Sequence, residues 1–419
     1  MSLRDLFRDV VHTLWSNKRR TFLTMFGIAW GIVSIVLMVA AGEGLRVGNE
    51  KVQATFARDL MIVFAGRTSM QAGGTRAGRR VWWETSDAPS VLGASPSCRY
   101  VMPELGNDAT ARSHFNNGRP TVAGSYPEFA VVRSIDVAEG RFYNWQDMHE
   151  QRRVAFLGSE IRKQLFPKGE KAIGEIVYLN NIPYTVIGIM LDKKQNSSYD
   201  GWDVNKVFVP FTAMQQDFPN KPPARPESVD RLLVQPMSLD EHPDCKREVI
   251  AALARLHNFD PHDKEAAGVW DTVEDAKEFR KMTDAMKYFL GAVGITTLFL
   301  GGIGVMNVML VAVRERTREI GVRKAVGAPA HSILRQFFAE TMIIVFLSGG
   351  VGLSVAYGIC GLVNLLPMPD FFAGLLPTWQ SGLLAASLLG LVAVGAALYP
   401  ARKAAYIDPI EALRHEAGG

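Results

Sequence analysis

Between Tyr288 and Val313 stand 26 consecutive residues without a formal charge, and Arg314 ends the run abruptly. At about 1.5 Å per residue a helix of that length crosses a hydrocarbon core of roughly 30 Å. Three further uncharged runs follow the same rule: Thr21 to Gly42, Thr341 to Pro369 and Phe371 to Ala401, the last two separated only by Asp370. Both exceed one bilayer thickness, so each is expected to contain a helix of about 20 residues, near Met342 to Val363 and Ser381 to Tyr399. The fold predicted is an α-helical membrane protein, with four transmembrane helices and a large α+β extracytoplasmic domain inserted between helices 1 and 2.

Lys and Arg set the expected orientation. Residues 1–20 hold five, 314–340 hold six and the tail after Ala401 holds three, whereas 364–380 hold none. The positive-inside tendency places the three basic pieces, and both termini, in the cytoplasm. Along the chain the expectation is a cytoplasmic amphipathic helix at 1–20 and a transmembrane helix at 21–42. Stalks and a periplasmic domain occupy 43–287, a second transmembrane helix 288–313 and a cytoplasmic coupling region 314–340. A third transmembrane helix takes 341–363, a short periplasmic connection 364–380, a fourth helix 381–400 and a cytoplasmic tail 401–419. Lys18, Arg19 and Arg20 ahead of Val39-Ala40-Ala41 resemble a signal peptide, but the long charged start and an apolar core of 20-odd residues favour a retained span. The net charge of +4 thus reflects topology, and no basic stripe with interleaved aromatics points to nucleic acid.

Within 43–287, GEGLRVGNEKVQATF and TVEDAKEFRKMTDAMK read as helical stalks at either end. Between them Thr68 to Pro127 reads as irregular β structure. Strands are expected at Arg153 to Leu157, Ile176 to Leu179, Tyr184 to Met190, Val207 to Phe211 and Arg231 to Val234, in small sheets. Helices are expected at Ser159 to Phe166 and Asp244 to Leu256. Cys98 and Cys245 both fall in this domain and can pair in an oxidising compartment, although their spacing is no motif. Small residues recur at four-residue steps in the spans, as Gly27 and Gly31, Gly352, Ala356 and Cys360, and Gly382, Ala386 and Gly390; Gly294, Gly301 and Gly304 lie in the second. Close helix packing, completed by a second copy, is the expectation. The spans carry no titratable relay of the kind an ion-coupled carrier needs.

Chemistry has little to work with. The chain has no G-x-x-x-x-G-K-[ST] with which to hold ATP, and its eight histidines are scattered. His257 and His262 with Asp260 and Asp263 read as a solvated turn rather than a metal site. No catalytic, metal or cofactor residue is expected, so the energy source must be another chain. The segment from Arg314 to Phe338 is where it would act. Arg316, Arg318, Glu319, Arg323 and Lys324 are charged, Gly321 and Gly327 interrupt, and Ala330 to Phe338 reads as a second short amphipathic helix whose Ile333, Leu334, Phe337 and Phe338 are apolar knobs for a partner's groove. Anchoring by arginine to anionic lipid explains the charge equally well.

NVMLVAVRERTREIGVRKAVGAPAHSILRQFFAE, from Asn307 to Glu340, resembles the hallmark of permease subunits in the MacB/FtsX/lipoprotein-releasing (type VII, mechanotransmission) class of ABC transporters. Asn17 to Gly44 is similar to that family's opening signature and Tyr399 to Glu416 to its closing one. IDVAEGRFYNWQDMHEQRRVAFLGSEIRKQLF and YTVIGIM resemble its MacB-like periplasmic core domain. The resemblance implies a bacterial inner-membrane permease working as a homodimer, or a heterodimer with a paralogue. It also implies a cytosolic ABC ATPase that binds ATP and magnesium, and it leaves room for a membrane-fusion adaptor and outer-membrane channel. It places a coupling helix at about Glu319 to Phe338, with Arg323, Lys324, Gly327 and Ala328 in the matching motif. The exporter MacB carries its ATPase ahead of the first span. Only about 20 residues precede that span here, so the resemblance is to permease-only members that recruit the ATPase separately, for export or efflux. An FtsX-like regulator of a cell-wall hydrolase and a signal-sensing membrane protein without an ATPase are the alternatives.

Overall fold

A computed structural model of the chain describes residues 18–57, 59–195 and 198–408. The amphipathic helix expected at 1–20 and the end of the tail lie almost wholly outside the described residues. The chain divides into two units, one of residues 1–49 and 280–419 and one of residues 50–279.

The first unit is helical. Helix α1 (Lys18–Phe56), α2 (Thr272–Glu315), α4 (Ala330–Val363) and α5 (Trp379–Ala405) are each long and apolar enough to cross a membrane, and the short α3 (Thr317–Ala325) joins α2 to α4. α1 and α2 also reach into the second unit. Ile28, Ile32, Ile35 and Val36 recur on one face of α1 and are buried with Leu298, Val305 and Met309 of α2. Glycine brings these two helices together. A Cβ at Gly31 would lie 3.0 Å from the Leu298 Cα, and one at Gly27 3.5 Å from that of Gly301. Gly352 of α4 meets the backbone of Ala29, where a Cβ would come within 2.7 Å of the carbonyl oxygen.

On α5 the packed face differs from the expected one. Ser381, Ala385, Leu389, Ala393, Ala397 and Ala401 are buried, whereas Ala386 is exposed and Gly382 and Gly390 are only half-buried. The stripe chosen by glycine content is therefore one position off the seam: alanine at 385, 393, 397 and 401 permits the approach as well, and it carries no helix penalty. The connection from α4 to α5 is tied to α1 by the Ala373 N–H donating to the Gly44 carbonyl at 3.0 Å and the Leu376 N–H to the Ala40 carbonyl at 3.1 Å. Gly44 and Gly48 are required there, because a Cβ on either would fall on the backbone carbonyls of Gly374 or Phe371.

The second unit is built on one twelve-stranded mixed sheet, not on small separate sheets. Its strands are β1 (Met61–Ala65), β3 (Cys98–Asp108), β4 (Ala111–Arg112), β5 (Asn117–Gly118), β6 (Thr121–Ser125), β7 (Val137–Gly140), β8 (Val154–Leu157), β9 (Ile176–Leu179), β10 (Ile182–Met190), β11 (Lys206–Pro210), β13 (Arg231–Pro236) and β14 (Ala267–Asp271). A separate pair comprises β2 (Trp83–Glu84) and β12 (Ser228–Val229). The main order is β14-β1-β13-β3-β6-β11-β8-β10-β9-β4-β5, with β7 on β10. β11 runs parallel to β6 and β10 parallel to β8.

Alternation explains how one sheet covers two cores. Met61, Val63, Val207, Val209, Leu232 and Val234 point to one, and Ile62, Phe208 and Leu233 to the other. The helix His242–His257 packs on the first face, where the disulfide Cys98–Cys245 joins it to the start of β3 with Cα atoms 5.1 Å apart. The region read as irregular, Thr68 to Pro127, holds the eleven-residue β3 and the helix Asp87–Ala94. β1 and β14 are antiparallel neighbours, with Met61 opposite Asp271. The Leu60 N–H donates to the Thr272 Oγ1 at 3.1 Å, and that hydroxyl donates back to the Leu60 carbonyl at 2.8 Å. The chain therefore enters and leaves this unit side by side.

Candidate functional site

The turn between α2 and α4 gathers the residues singled out in the sequence. α3 ends in a Schellman motif: Gly327 N–H donates to the Lys324 carbonyl and Ala328 N–H to the Arg323 carbonyl, with Gly327 at φ +99°. That backbone conformation strains any residue with a Cβ. Pro329, in extended conformation, is the N-cap of α4, a position whose N–H has no partner in the helix, so its missing donor costs nothing. Two helices and one reversal thus follow from the local sequence AVGAPA.

Three polar links fix α3 against its neighbours. The Arg316 guanidinium lies 3.3 Å from the buried Glu340 carboxylate. Arg323 donates to the Gln336 amide oxygen at 2.8 Å and also pairs with Glu319, and Gln336 in turn donates to Glu340 at 3.2 Å. Lys324 Nζ donates to the carbonyls of Ala405 and Ile407 at 2.8 and 2.7 Å, which caps the C-terminus of α5 with a cation. Below these links Ile320, Ile333 and Phe337 are buried, as is Gly321.

Two expectations change here. Ala330 to Phe338 is not a separate helix but the first turns of α4, because nothing between Phe338 and Met342 breaks the hydrogen-bond ladder. Ile333 and Phe337, 4% and 3% exposed, are consequently core residues of this unit and not knobs for a partner. What the turn does present is Arg318 and Glu319, with Val322 at 47% and Val326 at 84% exposure one helical turn apart. Ala328 is half-buried behind them. Gln336 and Glu340 were missed as partners although their spacing, four apart on an otherwise apolar face, was the available signal.

A second polar cluster, inside the sheet unit, left no trace in the sequence. Glu104, Arg133, Asp203 and Lys206 are buried. Arg133 donates to Asp203 at 2.7 Å, Lys193 to Asp203 at 3.0 Å, and Lys206 pairs with Asp200. Tyr199 lies between Arg133 and Arg231, whose guanidinium carbons are 4.8 and 4.7 Å from its ring centre, and donates to Glu104 at 2.7 Å. Burial pushes the Glu104 carboxyl up to about 7, with Arg231 opposing. Burial also opposes ionisation of Asp203, but Arg133, Lys206 and Lys193 overcome it and hold that carboxyl at about 2. Among the described residues no group of three or more His, Cys, Asp or Glu is placed to hold a metal ion.

The description MacB-like periplasmic core domain matches residues 21–249, and FtsX-like permease C-terminal matches 291–409. The chain is 30% identical to the ABC transporter permease YknZ of Bacillus subtilis over 99% of its own length and 100% of that protein's. It is 32% identical to the macrolide export ATP-binding/permease protein MacB of Shewanella sp., and 30% identical to the pyoverdine export ATP-binding/permease protein PvdT of Pseudomonas entomophila. Each comparison covers 96% of this chain, but the chain spans only 59% and 58% of those two proteins. Among solved structures, the periplasmic region of MacB from Actinobacillus actinomycetemcomitans is 16% identical over 54% of this chain and 94% of that one, with a TM-score of 0.42. The extracellular domain of YknZ is 20% identical over 51% and 100%, with a TM-score of 0.41.

Proposed function

The chain belongs to the MacB/FtsX family of ABC-transporter permeases, and from that premise we propose that it transmits the nucleotide cycle of a separate cytosolic ATPase to its large periplasmic domain. The observation that carries the reading is the turn at Thr317 to Pro329. It is fastened to α4 and α5 through Arg316, Arg323 and Lys324, and it offers Val322 and Val326 outward. A lever needs both a rigid attachment and a free contact face. On this reading the ATPase, holding ATP and magnesium, seats against the two valines, and two permease copies work together in the inner membrane with their termini in the cytoplasm.

Export is the direction supported by the relatives named for macrolide and pyoverdine export. A membrane-fusion adaptor and outer-membrane channel would then receive what the periplasmic domain releases.

The test is Val322→Asp with Val326→Asp in the full chain, co-reconstituted with the ATPase. Carboxylates placed in an apolar contact lose solvation without a partner, so coupled ATP hydrolysis should fall at least about tenfold while membrane insertion persists. Coupled hydrolysis at the wild-type rate in the double variant refutes the assignment.

A further inference from the structure

At the charged end of the helical unit, α2 and α5 form the walls of a groove of about 760 Å³. That volume falls within the range of roughly 300–1,000 Å³ typical of small-molecule sites. The two walls share one spacing. Leu310, Val313 and Arg314 fall at i, i+3 and i+4 on α2, and Tyr399, Arg402 and Lys403 fall at the same intervals on α5, with Tyr406 one turn further. Each wall therefore runs from apolar or aromatic to cationic in the same direction.

Arg314, Arg402 and Lys403 are exposed, and none makes a hydrogen bond or ion pair through its side chain among the described residues. Their neighbours differ, since Arg316, Arg323 and Lys324 are all engaged. Among the described residues Asp408 is the single carboxylate on the lining, so three cations there stand beside one anion. Val313 to Arg314 is also the point where the uncharged run of 26 residues stops. Tyrosines at that level match the residues that favour a membrane–water boundary.

We propose that this groove is a site for the phosphate headgroup of an anionic phospholipid, bound by Arg314, Arg402 and Lys403, with Leu310 and Val313 against the start of the acyl chains. The apolar wall selects a lipid over a soluble anion, and the excess positive charge selects an anionic lipid over a zwitterionic one. A lipid held here bridges the ends of α2 and α5 beside the turn that the ATPase is proposed to move. The site rests on the reading that these helix ends lie at a membrane surface, but it is independent of any ATPase.

The experiment is native mass spectrometry of the full chain in detergent, offered phosphatidylglycerol or phosphatidylcholine with identical acyl chains. Wild type should retain phosphatidylglycerol preferentially. At about fivefold per cation, the variant carrying Arg314→Gln, Arg402→Gln and Lys403→Gln should lose on the order of a hundredfold of that preference. Lys403→Gln alone should lose about fivefold, and Arg314→Lys with Arg402→Lys should keep it. Equal retention of both lipids by wild type, or an unchanged preference in the Gln variants, overturns the site. Displacement of phosphatidylglycerol by millimolar inorganic phosphate makes it a soluble-anion site and overturns the lipid assignment. Loss of ATPase co-purification with lipid preference intact makes it a protein surface, with the same consequence.

Discussion

Glu340 is the residue on which α3 hangs, and its removal should show a marked asymmetry. The carboxylate is 1% exposed, 3.3 Å from Arg316, and accepts a second hydrogen bond from Gln336. At an effective dielectric of about 20, opposite charges at that distance attract by about 5 kcal/mol before solvation is charged against them. Arg316→Met removes the cation from a buried carboxylate that still accepts from Gln336, at a cost of about 3 kcal/mol. Glu340→Leu instead leaves Arg316, whose side chain is 24% exposed and can turn to water, so about 1.5 kcal/mol is expected. The double variant replaces the pair with apolar groups and should cost only about 1 kcal/mol. The assay is SDS-driven unfolding of the full chain in micelles, followed by helical circular dichroism. A double-variant cost within about 0.5 kcal/mol of the summed single costs means that the two residues act independently, and refutes the picture of a fastened lever.

Three other perturbations bear on the rest of the molecule. Cys98→Ser opens a loop with a separation of 147 residues, so chain entropy sets a loss of up to about 5 kcal/mol for the sheet unit; urea unfolding of wild type with and without reductant should reproduce it. Glu104 has its folded value raised from 4.5 to about 7, so its contribution is complete below about pH 4.5 and is lost as pH rises through about 7. Glu104→Gln should therefore gain stability relative to wild type between those limits and level off above about pH 7; a constant difference between the two stability curves from pH 4.5 to 8 rejects the shift. Gly48→Leu should overpack the contact with Phe371 by about 1–3 kcal/mol and expose 364–378 to protease, whereas Gly350→Ala, with nothing within 4 Å, should change neither.

The membrane helices were legible because charge is costly in lipid, so their absence over 26 residues leaves few alternatives. Local elements with strong alternation, such as Ile176–Leu179, were legible for a similar reason. The sheet order was not. β13 sits between β1 and β3 through register contacts such as Leu233 with Met102, more than a hundred residues apart, and periodicity carries no information about such partners. At the turn, the charged residues were legible but their partners within the helical unit, Gln336 and Glu340 among them, were not. Ile333 and Phe337 have the composition of docking knobs, and only the continuity of α4 shows that they face inward.

The pairing of β1 with β14 has a consequence for how the sheet unit can be exchanged. Met61 and Asp271 are opposite each other, so the chain ends of the sheet unit emerge about one strand spacing apart. A unit bounded in this way is an exchangeable cassette. It can be lengthened, shortened or swapped for an unrelated fold with closely spaced ends, while the helices on either side keep their own packing. The four long helices can in this way carry a different sheet domain without being rebuilt.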